Sequence, residues 1–264
     1  MANKTKILLD REQYVVKAND LIRRTRYNLT AQQQKIVLYC ISKIKPEDGI
    51  NTQYEINTKD LAQACGMDID KGGHYYTALK KELIQLAQRE DCILPDGASG
   101  SVSWIGDYKL TPWDSTVYIT FNVNMQPYLF DLREKYTQYR LQNVLVFKGK
   151  YAIRLYELLR SYTTQQKLDN GGEAEITLEL DYIRNMLEVE GYKAYPEFNR
   201  RVIAPAIKEI NLRAEDIYIE YYKVKGTGTR QTEKINFVIK TASLKQQVNA
   251  YKERKRKLDH VEIV

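Results

Sequence analysis

The chain is poor in the side chains that do chemistry. His74 and His260 are the only histidines in 264 residues, which leaves little material for a general base, a His-paired nucleophile or an imidazole-ligated metal. A nicking enzyme with a metal held by clustered histidines beside a reactive tyrosine is excluded on the same ground, even with 21 tyrosines present. Cys40, Cys65 and Cys92 lie far apart and form no CxxC pair, a pattern of reduced core thiols and not of disulfides or zinc. Neither GxxxxGK[ST] nor GxGxxG occurs, so neither phosphate-cradling glycine loop is present. There is no apolar run of about 18 residues, and the opening MANKTKILLDREQYVV carries charges where a signal peptide needs an apolar stretch. These absences set the expectation: a cytoplasmic binding protein that is not an enzyme, with no cofactor, no metal site and no membrane partner.

What the sequence does contain is 43% hydrophobic residues, enough for one large domain or two ordinary ones. It also carries a net charge of +7, with a pI near 9.0, which favours a polyanionic partner. Apolar spacing predicts a short helix at NDLIRR, 19–24, and a longer one at LTAQQQKIVLYCISKI, 29–44. Thr30 and Gln33 have the spacing of a capping box, and Ile36, Val37, Cys40, Ile41 and Ile44 form the expected buried stripe. YEIN, 54–57, reads as a strand, TKDLAQACG, 58–66, as a helix ended by glycine, and HYYTALKKELIQLAQ, 74–88, as a further helix. SVSWIGDYKL and STVYITFN alternate like the arms of a hairpin.

The order then repeats. KGKYAIRLYELLRSY answers QQQKIVLYCISKI, AEITLE answers YEIN, LDYIRNML answers TKDLAQAC, and PEFNRRVIAPAIKEIN answers the helix that starts at His74. The offset stays near about 120 residues, as a duplicated unit requires. Each unit ends in a hairpin; in the second, DIYIEYYKV and EKINFVIK flank KGTGTRQT. Helix, short strand, helix, turn, helix and hairpin is the order of a winged helix-turn-helix. The expected fold is therefore α+β, two tandem winged helix-turn-helix domains related by internal duplication, spanning 1–143 and 144–264.

NLTAQQQKIVLY, YAIRLYELLRSY and RRVIAPAIKEIN, in that order and at that spacing, resemble the initiator replication proteins of iteron-bearing bacterial plasmids, over about residues 14 to 240. The resemblance implies a protein that binds directly repeated sites in a plasmid origin, helps to open the duplex and recruits host replication proteins. It further implies a homodimer, formed through the first domain, that represses its own gene and is in equilibrium with a monomer.

On a helix from Phe198, steps of 100° put Phe198, Val202, Ala206 and Ile210 on one arc, and Arg200, Arg201, Ala204, Lys208 and Asn211 on the other. The second arc suits a major groove of double-stranded DNA: arginine pairs with guanine or holds phosphate, asparagine reads adenine, and alanine lets the backbone approach. Alone, such a face is a solvated one; its place in the repeat, the basic hairpin and the resemblance together make it the expected reading surface. Neighbouring arginines point about 100° apart, so one reads a base and the other holds phosphate. Arg200 is preferred as the reader because its row includes Asn211. In the preceding unit Thr77, Lys81 and Gln85 face outward on the equivalent helix, opposite Leu79, Leu83 and Leu86, and a backbone-positioning role and plain solvation are equally compatible with them. Lys223, Lys225, Arg230 and Lys234 are the wing's candidates for phosphate, against a charged hairpin that only keeps the protein soluble. Pro205 interrupts the helix body and is expected to bend it or mark a junction. The tail helix around Leu244, Val248 and Tyr251 carries a basic cluster at Arg254 to Lys257, as a phosphate contact or a solubilising end. A sequence-specific gene regulator without a part in replication needs the same helices and is the alternative function.

Overall fold

The structure, a computed structural model, describes residues 14–69, 73–88, 90–93, 97–111, 115–164, 167–168, 170–226 and 232–259. The chain divides into two compact units between Leu145 and Val146, two residues beyond the expected boundary at 143.

In the first unit, strand β1 (Tyr14–Ala18) leads into α1 (Asn19–Arg23) and α2 (Ala31–Ile41). The capping box at the start of α2 forms as its spacing predicts: Gln33 N–H donates to Thr30 Oγ1 at 3.1 Å, and Thr30 N–H donates to Gln33 Oε1 at 2.8 Å. Strand β2 (Tyr54–Asn57) runs into α3 (Thr58–Ala64), and α4 (His74–Ala87) follows. Beyond the pair β3 (Glu90–Ile93) and β4 (Ser99–Val102) come β5 (Ile105–Thr111) and β6 (Thr116–Phe121), which form with β2 a three-stranded antiparallel sheet ordered β2-β6-β5. A 3₁₀ turn, Val123–Met125, α5 (Gln126–Leu129), β7 (Tyr136–Arg140) and α6 (Leu141–Leu145) complete the unit.

The second unit opens with α7 (Lys150–Arg160), then β8 (Glu173–Glu179) and α8 (Leu180–Met186). Tyr195–Phe198, a π-helical turn Asn199–Ile203 and Ala204–Arg213 run on as one helix, α9. Strands β9 (Ile217–Lys225) and β10 (Thr232–Thr241) join β8 in a sheet ordered β8-β10-β9, and α10 (Leu244–Asp259) follows. Ile235, Phe237 and Ile239 on the central strand are all fully buried, the period-2 pattern of a sheet with one face on a core.

The duplication extends to the caps. After α3, Gly66 N–H donates to Gln63 O and Met67 N–H to Ala62 O, the paired bonds of a left-handed helix end, with Gly66 at φ +79°. After α8, Glu188 N–H donates to Asn185 O and Val189 N–H to Arg184 O, with Glu188 at φ +50°. The same stop is built with glutamate where the first unit has glycine, so comparison of residue types does not reveal it.

Two expectations need correction. The run SVSWIGDYKL is not one hairpin arm: Ser99–Val102 pairs with β3, and β5 begins only after Trp104, which is buried and donates its N–H to Leu86 O. The stripe drawn on α2 is too narrow, because Gln33, Gln34 and Lys35 are buried as well, and on α7 Arg154, Glu157 and Arg160 are buried too. Their polar ends are bonded inside: Gln34 donates to Leu29 O and Arg154 to Met186 O. On α10 the apolar residues Leu244, Val248 and Tyr251 are exposed, and it is Ala250 that is buried. Side chains of the basic cluster from Arg254 lie outside the described residues. Cys40, Cys65 and Cys92 are buried free thiols, and burial pushes the Cys40 thiol above its ordinary range. No described helix is long and apolar enough to cross a membrane, and no cluster of metal-ligating side chains occurs among the described residues.

Candidate nucleic-acid interface

Helix α9 is seated by its buried arc. Phe198, Val202, Ala206 and Ile210 lie on that arc with Ile203 and Ile207 beside them, all 4% exposed or less. Two further sets of bonds fix its rotation. At its C-terminal end Glu209 accepts from the backbone N–H of Lys148 at 2.7 Å and of Gly149 at 3.1 Å, so its carboxylate caps the start of α7. Near its start, Tyr221 on β9 donates from its hydroxyl to Asn199 Oδ1 at 3.0 Å. The turn leading into α9 is braced by Arg184, whose guanidinium donates to Tyr192 O and Lys193 O and lies 5.1 Å from the centre of the Phe198 ring.

Pro205 is accommodated by the π-helical turn and not by a break. Ala204 N–H donates to Asn199 O, five residues back, so the ladder has already widened where proline has no N–H to give. The helix runs through, and its arginines stay on one continuous outward face.

Arg200, Arg201 and Lys208 are exposed on that face and Ala204 is half-buried among them. Both arginines share one carboxylate: Arg200 Nη2 donates to Glu197 Oε1 and Oε2 at 2.8 and 3.0 Å, and Arg201 Nε to Oε1 at 3.2 Å. These bonds hold the Glu197 carboxyl below the usual carboxylate range, Arg200 contributing most. Glu197 was not among the sequence candidates, although acid three and four residues before base is the spacing of a helical ion pair.

Asn211 does not belong to the reading row. Its Nδ2 donates to Ile219 O at 2.8 Å, and its Oδ1 accepts from Ile219 N–H at 2.7 Å, so the amide pairs with β9 as another strand would. With Asn211 bonded to β9, Arg200 has no adenine-reading partner in its row and is not preferred over Arg201 as the reader. Asn211→Ala is expected to lower stability by roughly 2 kcal/mol, about 1 for each bond, and to lower the melting temperature; a melting curve unchanged from wild type would return Asn211 to the outward face.

The other candidates are scattered by the same test. Thr77 and Lys81 are exposed on α4, but Gln85 is engaged by Gln33, whose Nε2 donates to its Oε1 at 2.8 Å. On the wing Lys223 and Lys225 are exposed on β9. Lys234 is paired with Glu179 at 2.7 Å, which raises its pKa and offsets its charge. Arg230 lies outside the described residues.

Helix, strand, helix, helix and two-stranded wing, twice, is the geometry that the family comparison meets. Residues 14–160 match the model for the initiator replication protein WH1 domain, and residues 179–239 that for the WH2 domain. The chain belongs to the initiator replication protein family. A replication initiation protein of Escherichia coli is 29% identical over an alignment of 205 residues that covers 76% of this chain and 62% of that protein's length. The chain therefore spans less than two thirds of that relative. The crystal structure of the Pi initiator protein in complex with iteron DNA superposes with a TM-score of 0.67 at 17% identity, covering 88% of this chain and 98% of the solved one. At that identity the likeness establishes the tandem winged-helix fold.

Proposed function

We propose that the protein is a plasmid replication initiator that binds directly repeated sites in double-stranded origin DNA, with α9 in a major groove and the β9–β10 wing on the adjacent backbone. The observation that carries this is the α9 face: Arg200, Arg201, Ala204 and Lys208 in one outward row on a helix whose rotation is fixed by Glu209 and Asn199. A merely solvated helix has no need of that bracing, whereas base reading requires side chains held in register with base edges. In this reading the second unit reads sequence, and the first, through Thr77 and Lys81, positions the protein on the backbone. Opening of the origin, recruitment of host replication proteins, and a homodimer in equilibrium with monomer that represses its own gene are supported by membership of the family.

Footprinting on the DNA beside the gene tests this. Protection of several direct repeats of about 20 base pairs is expected, about one helical turn for each winged-helix unit. A single protected inverted repeat would favour the gene regulator instead. On the same DNA, Lys223→Ala combined with Lys225→Ala is expected to lower the slope of log affinity against log salt by roughly 0.9 for each phosphate that the lysines neutralise, leaving site preference alone. A slope equal to wild type would take the wing out of the interface.

A further inference from the structure

Glu197 is an unexpected residue on a surface meant for a polyanion. It stands one turn before Arg200 and Arg201 on the same exposed face, and its carboxylate bonds to those two guanidinium groups. An ionised carboxylate only accepts hydrogen bonds. The phosphate backbone offers only acceptors as well, so an arginine drawn to a phosphate leaves Glu197 facing like charge with nothing to bond. In the major groove the donors are the amino groups on cytosine N4 and adenine N6, and cytosine N4 is the one that glutamate takes by geometry.

We infer that Glu197 is a specificity-determining residue: it withholds Arg200 and Arg201 from the phosphates of arbitrary DNA and releases them at a site where a cytosine amino group replaces them on its carboxylate. This rests on the placement of α9 in a major groove. Discrimination then comes from two sources, an attractive interaction on the right sequence and an unpaired charge on the wrong one. The salt bridges themselves add little to stability, because all three side chains are more than a third exposed. Their replacement is therefore expected to leave the fold intact.

The experiment uses the full chain, a duplex selected by the wild-type protein from a random-sequence pool, and a scrambled duplex of the same composition. Glu197→Ala is expected to strengthen binding to the scrambled duplex about tenfold and to steepen its salt slope by about 0.9, the signature of one more phosphate neutralised. Binding to the selected duplex stays level or weakens, so the ratio between the two collapses. Glu197→Gln, which keeps the shape but also donates, is expected to relax preference at a single C·G position of the selected site. Variants that shift both duplexes by one common factor, or neither, with melting curves like wild type, would make Glu197 an ordinary surface carboxylate and leave the α9 reading standing. A wild-type protein that fails to prefer its own selected duplex would overturn the α9 reading, and this inference with it.

Discussion

Ala204→Glu abolishes binding to the selected duplex while the protein remains folded: this is the expected result of placing a carboxylate at the centre of the α9 face. Ala204 lies half-buried between Arg200 and Arg201 on one side and Lys208 on the other. A longer side chain there holds the helix backbone away from the base edges, and its charge meets the phosphates on either wall of the groove. Like-charge juxtaposition at an interface costs several kcal/mol, and at about 1.4 kcal/mol per factor of ten the loss is about 100-fold or more. The new carboxylate also stands four residues after Arg200 and three after Arg201, where it competes with DNA for the same guanidinium groups. None of this touches Phe198, Val202, Ala206 or Ile210, so circular dichroism and the melting temperature should match wild type. Binding retained by the folded variant would mean that this face of α9 looks into solvent.

The outward arc was legible because helical period alone sorts α9 into a buried and an exposed side, and the fully buried Phe198 and Ile210 fix which is which. What period does not reveal is a side chain that turns back. Asn211 sits at the edge of the outward arc, and its amide reaches β9 eight residues on in the chain, an interaction that depends on how the wing folds under the helix. Gln85 was misplaced for the same reason: its partner Gln33 is 52 residues away. Among the elements missed outright, β1 and β7 pair Tyr14–Ala18 with Tyr136–Arg140. Neither segment announces its partner, because hydropathy is a local signal and the register of a long-range pair is decided by the rest of the unit. The order of the duplicated core was readable since every repeat element carries its own period or cap, and the buried polar residues of α2 and α7 were not, since Lys35, Arg154 and Arg160 look like solvent-facing residues until their partners are in place.

Arg160 leads to the prediction with the largest effect on stability. It is 1% exposed near the end of α7, donates from Nε to Asp216 Oδ2 at 3.3 Å, and donates from Nη1 to Thr163 O at 3.1 Å. The same Asp216 oxygen accepts from the Tyr156 hydroxyl at 2.7 Å, so a single carboxylate at the entry to β9 ties together two side chains of the helix at the centre of the second unit. Asp216→Ala withdraws the counter-charge from a buried guanidinium, and removing one partner of a buried pair costs about 3 kcal/mol or more. For a unit of this size that lowers the melting temperature by roughly 10 °C. Asp216→Asn keeps the shape and one acceptor and is expected to fall between the two. The outward face of α9 is untouched, because α9 is held by Glu209 and Asn199 and not by Asp216. At low temperature the remaining folded protein should therefore bind the selected duplex with wild-type affinity and salt slope, the reverse of the Ala204→Glu result. A melting temperature within about a degree of wild type would show that the interior of this unit tolerates the charge without Asp216, and that the wing is anchored to α7 by apolar packing alone.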